Sequence, residues 1–504
     1  MKSIKRKNKN SHKRIIFKFI IIPLLILLIY LSIIFNNLIF LNSFYNIVYH
    51  KFKSDNFLRD KNINCDKYDP IYLFGERFKK KPVILCKSKK SNHICYQTSK
   101  YNNNQKIAEI KYGFVCKSEN FILDPFKSSL IDLIYKGAFD KVHKGDPILL
   151  NGFFNMKCNI QHKIRKYHEF YNTYLESWKY EKINNKIYEN EGDFPELAPG
   201  KIILFISRNH DSTNLFHGIS EFINALSTIY IFNLNPEKIQ IVFLESFLFK
   251  DEPLYILYKN IISRGGEPIL LRNLKKKYHI ESAFHIPINY DSPLFIKLNI
   301  KNGFPNCKYS TQTYNILNKL IDKYLNITEF KDSFVSDGEI FYYPESVTNN
   351  NKFNNSFNKT ITIQWRKTWP KGRKYQQRLL GNGPELADKL ASNLTKNYLV
   401  RLVDTAYLSI IDQISIMRKT DYLIGIHGAG LSLSIFMPIH SILHEILPKK
   451  NNKLLVLMSA LSGHKTYSNI LKTSYKSINN NDVYFFDTLK FSEIAIQHIS
   501  NNLF

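Results

Sequence analysis

The sequence predicts an α/β protein of two doubly wound, Rossmann-like domains behind an N-terminal transmembrane helix. Three observations carry this expectation. A long apolar run lies near the start, and two separate series of short β-like runs alternate with amphipathic helices further on. The length of 504 residues also exceeds what one hydrophobic core usually holds.

The apolar run comes first. Phe19 to Phe35 carries no charge, and the apolar character continues to Leu41 with only Asn36 and Asn37 interrupting. A bilayer needs ~20 such residues. No small-residue cleavage pattern follows, so the run reads as an uncleaved signal anchor spanning 19–41. Eight cations (Lys2, Lys5, Arg6, Lys7, Lys9, Lys13, Arg14 and Lys18) stand upstream of it without an acid among them. The positive-inside rule then leaves residues 1–18 in the cytosol and the rest in the lumen of the endoplasmic reticulum or Golgi, a type II topology. Residues 42–64 are polar and basic and read as a stem.

The chain carries 71 Lys+Arg against 42 Asp+Glu. Outside the tail the excess is scattered among Asn, Ile and Tyr, with no stripe or module that would track phosphates, so nucleic acid is not expected as a partner. Six cysteines (Cys65, Cys86, Cys95, Cys116, Cys158 and Cys307) match no zinc spacing. An even number in an oxidising lumen points to disulfides of unreadable connectivity. Sequons at Asn326, Asn354, Asn358 and Asn393 agree with that compartment.

From 65 to 198 only short strand-like runs appear: Val83 to Cys86, Gly113 to Cys116 and Pro147 to Phe153. The pattern sharpens at Ile202 to Ile206, a β-like run followed by a polar loop and a helical stretch over Leu215 to Ile231. The same unit recurs as the strand Ile239 to Leu244, a helix from Glu252 to Arg264 stopped by Gly265-Gly266, and the strand Pro268 to Leu271. An Asn-rich insert, Thr348 to Asn358, precedes the second series. There Thr360 to Trp365, Tyr398 to Val403, Asp421 to Ile426 and Ser441 to Ile446 read as strands, with helices over Pro384 to Lys396 and Ser409 to Lys419. The expected domains are therefore 65–345 and 346–504. In doubly wound sheets ligands sit beyond the carboxyl ends of the strands, which directs attention to the loops after Ile206, Trp365, Ile426 and Ile446.

Three motifs stand at those loops. After the strand ending at Ile426, the turn His427-Gly428-Ala429-Gly430 opens a helix, so small residues let backbone N–H groups approach an anion while His427 and Ser432 add donors. A structural glycine turn is the plainer alternative. Asn214-Leu215-Phe216-His217-Gly218-Ile219-Ser220-Glu221-Phe222 places His217 and Glu221 four apart on one helical face, where a carboxylate can accept a proton from a hydroxyl; a capping pair is the alternative. Gln364-Trp365-Arg366-Lys367, followed by Arg373 and Arg378, offers guanidinium forks of the kind that bind phosphate oxygens; a solvated basic loop is the alternative for the later cations.

Together these segments resemble glycosyltransferase family 61, whose members share H-G-A-G-L-[TS], an apolar helix ending in Pro, and then a strand bearing a Glu. Here these are His427 to Ser432, Phe436-Met437-Pro438, and Leu443-His444-Glu445-Ile446. The Asn214 to Phe222 stretch and an Arg at the end of the Gln364-Trp365 strand are similar to two more family features, although Trp365 replaces the commoner Ser. The resemblance implies a GT-B-like pair of domains, acceptor side first and donor side second. It implies an inverting glycosyltransferase using a UDP-sugar donor, N-acetylglucosamine or xylose foremost, on a luminal protein or glycan hydroxyl. Glu221 or His217 would be the base. Asn214, Arg366, Arg373, Arg378, His427, Gly428, Ala429, Gly430, Ser432 and Glu445 would bind substrate, Glu445 accepting from the ribose diol. No D-x-D triplet occurs in the chain, so the expected chemistry needs no metal or other cofactor. Two rival readings are a catalytically inactive luminal glycan-binding or assembly protein on the same fold, and a serine esterase, for which the G-x-S-x-G elbow is missing.

Overall fold

A computed structural model of the protein describes residues 63–66, 68–78, 82–97, 107–108, 114–128, 149–164, 173–182, 194–206, 214–244, 254–286, 307–325, 327, 340–343, 359–365, 378–394, 398–405, 408–447, 454–470, 474–478 and 481–502. The expected tail, anchor and nearly all of the stem lie outside these, as do Asn326, Asn354 and Asn358 and the expected boundary at 345/346. Among the described residues no helix is long and apolar enough to cross a membrane. Asn64–Phe504 forms one compact unit.

The first sheet is mixed. Strands β1 (Val83–Lys87), β2 (Asn92–Gln97), β3 (Phe114–Leu123), β4 (Ile202–Ile206), β5 (Ile239–Phe243), β6 (Ile269–Leu270) and β7 (Tyr278–Ile286) are ordered β6-β5-β4-β7-β3-β2-β1. The four strands β6, β5, β4 and β7 run parallel. The cysteine-bearing segment extends them through antiparallel β3, β2 and β1. The opaque region of the sequence is thus part of the first sheet. Its expected strand at Pro147 to Phe153 is replaced by a single bridge, Leu149 to Ser128, and a turn before the strand Phe154–Lys157. Gly152, at φ +89, makes that turn.

The second sheet contains β8 (Ile340–Tyr343), β9 (Lys359–Gln364), β10 (Tyr398–Val403), β11 (Tyr422–Ile426), β12 (Ile442–Leu447) and β13 (Lys465–Ile470), ordered β8-β10-β9-β11-β12-β13. All are parallel except β8 at the edge. Helices α1 (Leu215–Ile231), α2 (Gln312–Tyr324), α3 (Gly383–Asn393), α4 (Ile410–Arg418) and α5 (Thr488–Asn502) cover the faces. Asn214 caps α1 by accepting from Phe216 N, and Ser409 caps α4 by accepting from Asp412 N. The expected helix at Glu252 to Arg264 becomes a short turn, Tyr255–Leu257, running into π-helix over Tyr258–Ile262.

Strand alternation explains the layering. On β4, Leu204 and Ile206 face one core with α1, α2 and the 3-10 segment Ala429–Phe436, and that same core takes Leu423 of β11 and Leu443 of β12. Ile203 and Phe205 face the cysteine-rich side. Ile363, Ile424 and Ile446 face α3 and α5. The two sheets therefore share one helical layer, whose apolar burial joins them. Within it Arg401 of β10 is buried, donating to Thr362 Oγ1 (2.8 Å), Thr420 Oγ1 (2.9 Å) and Ile416 O (2.6 Å) at the carboxyl end of α4.

All six cysteines pair, as Cys65–Cys307, Cys86–Cys158 and Cys95–Cys116. The last joins opposed residues of β2 and β3. Beside the first, buried Asp69 accepts from Thr313 N and Thr313 Oγ1, both at 2.8 Å, fastening the start of the described chain to α2.

Candidate active site

Each sheet has one place where the chain reverses its direction of travel. In the second sheet the chain leaves β9 through α3 to β10 on one side, then returns through α4 to β11 on the other. The crevice at the carboxyl ends of β9 and β11 is the topological switch point, the position where such sheets bind ligands. In the first sheet β5 and β6 lie on one side of β4 and β7 on the other, which puts a second switch point beyond Ile206, just ahead of α1.

The register of the second sheet builds a polar row below its crevice. Gln364 of β9 opposes Gly425 of β11, Gly425 opposes Glu445 of β12, and Glu445 opposes Ser468 of β13. The side chains of such a row share one face, and alternation puts His427, two residues past Gly425, on that face too. His427 Nδ1 lies 2.6 Å from Glu445 Oε1, and Ser468 Oγ donates to Glu445 Oε2 at 3.1 Å. The contact holds the Nδ1 edge of the imidazole against Glu445. Glu445 is fully buried, whereas the His427 side chain keeps 13% of its exposure. Both Glu445 oxygens have a protein partner, Oε1 at His427 and Oε2 at Ser468.

The His427 turn is shaped by its neighbours. Gln364 Nε2 donates to Thr405 Oγ1 at 3.0 Å, and a Cβ on Gly430 would collide with the Gln364 carboxamide. A Cβ on Gly425 would come within 2.6 Å of Leu431 Cδ2. Both glycines are there for close approach. Gly428 has an extended backbone (φ 175) that any residue adopts. Ser432 is buried and gives its proton to Ala429 O at 2.6 Å, which closes the turn from inside. The element that follows is 3-10 helix, Ala429–Phe436, where α-helix was expected.

On the next strand residue the chain changes face. His444 is buried among α5 side chains, between Tyr422 Oη (2.7 Å) and Asn469 Oδ1 (3.0 Å), and burial pulls its pKa down to about 4. It stays neutral and structural.

From the other sheet, α1 packs directly on Ala429–Phe436. The residues Asn214, His217 and Glu221 therefore approach the same helical layer as the His427 turn. Asn214 serves as the N-cap, His217 lies half-buried in the first turn, and Glu221, one turn deeper, is 1% exposed. Arg366 and Arg373 lie outside the described residues. Trp365, just before Arg366, is pinned by donating through Nε1 to Leu380 O at 2.9 Å and through its backbone to Val403 O at 2.8 Å. Arg378 starts a short strand, Arg378–Leu380, in a separate small sheet paired with Asn481–Phe485.

Thr405 and Ser468 were not singled out by sequence reasoning, and Gln364 was noticed only as a neighbour of Arg366. Their signal was register, which appears only once strands are aligned. One metal-like cluster occurs among the described residues, His93 with Cys95 and Cys116. Its two sulfurs are bonded to each other, which removes the thiolates a metal would take.

Residues 292–443 match the family model described as Glycosyltransferase 61. The match supports an assignment to glycosyltransferase family 61. The matched stretch runs from ahead of α2 to the second residue of β12, so the family 61 region includes β9, Arg366, the switch-point crevice and the His427 to Ser432 turn. It ends before Glu445, and α1 precedes it. No curated protein matches the chain. The family implies, in general terms, a sugar donor and an acceptor.

Proposed function

We propose that this protein is a family 61 glycosyltransferase and a type II protein of the Golgi or endoplasmic reticulum membrane. It transfers N-acetylglucosamine or xylose from a UDP-sugar to a hydroxyl of a luminal protein or glycan, with inversion. The observation that carries the reading is the packing of α1 on Ala429–Phe436, which gathers a proton acceptor and an anion-binding turn at one layer. The acceptor hydroxyl gives its proton to Glu221 or His217 and attacks the anomeric carbon. Arg366, the backbone of the Gly428 to Gly430 turn and His427 hold the diphosphate as its charge grows. A single displacement needs no covalent enzyme intermediate. With no D-x-D triplet in the chain, cations and N–H groups take the place of a divalent ion. The three disulfides and an exposed sequon residue, Asn393, suit a luminal body.

The test is transfer from a panel of UDP-sugars by the purified full-length protein, with and without EDTA. Transfer from one of them that survives EDTA is expected. Loss in EDTA that Mn2+ restores would overturn the metal-free mechanism, and no transfer or hydrolysis of any UDP-sugar would favour the silent glycan-binding alternative.

Gly430→Ala should weaken UDP binding about 10-fold. A forced methyl against a packed amide costs about 1–3 kcal/mol, here at the turn that would meet the diphosphate. Calorimetric titration checks it, and adding Gln364→Ala should restore part of the affinity by vacating the space.

A further inference from the structure

We infer that Ser468 and Glu445 are positioning residues that act on the donor through His427, a role no motif assigns to Ser468. The inference rests on the proposed contact between His427 and the donor diphosphate. Its geometric basis is the chain of contacts Ser468 Oγ to Glu445 Oε2 (3.1 Å) and Glu445 Oε1 to His427 Nδ1 (2.6 Å), laid across β13, β12 and the end of β11. Register makes the arrangement rigid: Glu445 opposes Gly425 on one side and Ser468 on the other, and all three strands are parallel partners. Because residue 425 has no side chain, nothing on β11 stands between Glu445 and the imidazole two residues on.

A fully buried carboxylate on one ring nitrogen does two things. It fixes which ring nitrogen faces the protein, and it fixes the plane of the ring. The donor contact is thus made by a ring already held in place. Ser468 holds the second carboxylate oxygen, keeping the first aimed at Nδ1.

The test is a double-mutant cycle on UDP affinity in the full-length protein, with Glu445→Gln, His427→Ala and both together. His427→Ala should weaken UDP about 10-fold or more, and Glu445→Gln nearly as much. Adding Glu445→Gln to His427→Ala should then change nothing further. Ser468→Ala should cost about 2- to 5-fold, again only when His427 is present. If Glu445→Gln weakens UDP equally in both backgrounds, Glu445 contacts the nucleotide itself or holds the fold, and the inference fails while the proposed function stands. If His427→Ala weakens UDP and neither Glu445→Gln nor Ser468→Ala does, the inference alone fails. If His427→Ala leaves UDP affinity unchanged, the diphosphate contact is wrong and the inference falls with it. Should Glu445→Gln fail to fold, the Ser468→Ala cycle carries the same decision.

Discussion

Glu221→Gln is expected to lower sugar transfer about 100-fold or more while leaving UDP affinity near that of the unaltered protein. Glutamine keeps the size and much of the hydrogen bonding but cannot take a proton. Glu221 is 1% exposed, in the second turn of a helix that packs on Ala429–Phe436. A carboxylate so placed is costly to desolvate unless its charge is used or held. His217, one turn nearer the start of α1 and half-buried, lies between it and the helix N-terminus. His217→Ala separates two routes for the proton: an equal fall in turnover means that the hydroxyl hands it over through His217, and a small fall means that Glu221 receives it directly. Full activity in both variants, each folded, would make α1 structural and remove the acceptor-side half of the mechanism. Steady-state transfer with the best donor of the panel, alongside UDP titration, gives the readings.

The largest effect on stability is expected from the Cys65–Cys307 bridge. Its cysteines are 242 residues apart, and a loop of that length gives an upper estimate of about 5 kcal/mol by the chain-entropy rule. The Cys65→Ser/Cys307→Ser protein should unfold at markedly lower denaturant than the Cys95→Ser/Cys116→Ser protein, whose bridge spans only 21 residues. Asp69 and its bonds to Thr313 hold the same junction and offset part of the loss. Equal denaturation midpoints for the two variants would show that the long loop is already restrained in the unfolded chain.

The legibility of this chain followed its periodicity. Buried parallel strands read as short apolar runs, and Ile202–Ile206, Tyr398–Val403 and Tyr422–Ile426 stand where those runs predict them, as does the helix Leu215–Ile231 behind its Asn214 cap. The cysteine-rich segment was opaque because its strands earn their place by pairing: β3 is held between β2 and β7, partners 17 or more positions removed in register. The strand β13 was missed for a related reason. Its Lys465-Thr466-Tyr467-Ser468-Asn469 sequence is polar, and parallel pairing with β12 decides its state.

The sequence by itself determined the α/β class, the two β/α series, the glycine turn at His427 and the helical spacing of His217 and Glu221, since all of these are local patterns of period and backbone freedom. Only the tertiary structure decided that the two sheets share one helical layer, that α1 meets Ala429–Phe436, and which cysteines pair. It also brought Glu445 against His427 and Ser468 against Glu445. The physical reason is that these are relations between residues far apart in the chain, set by strand register and by which face each strand buries, and neither is written in any single stretch of sequence.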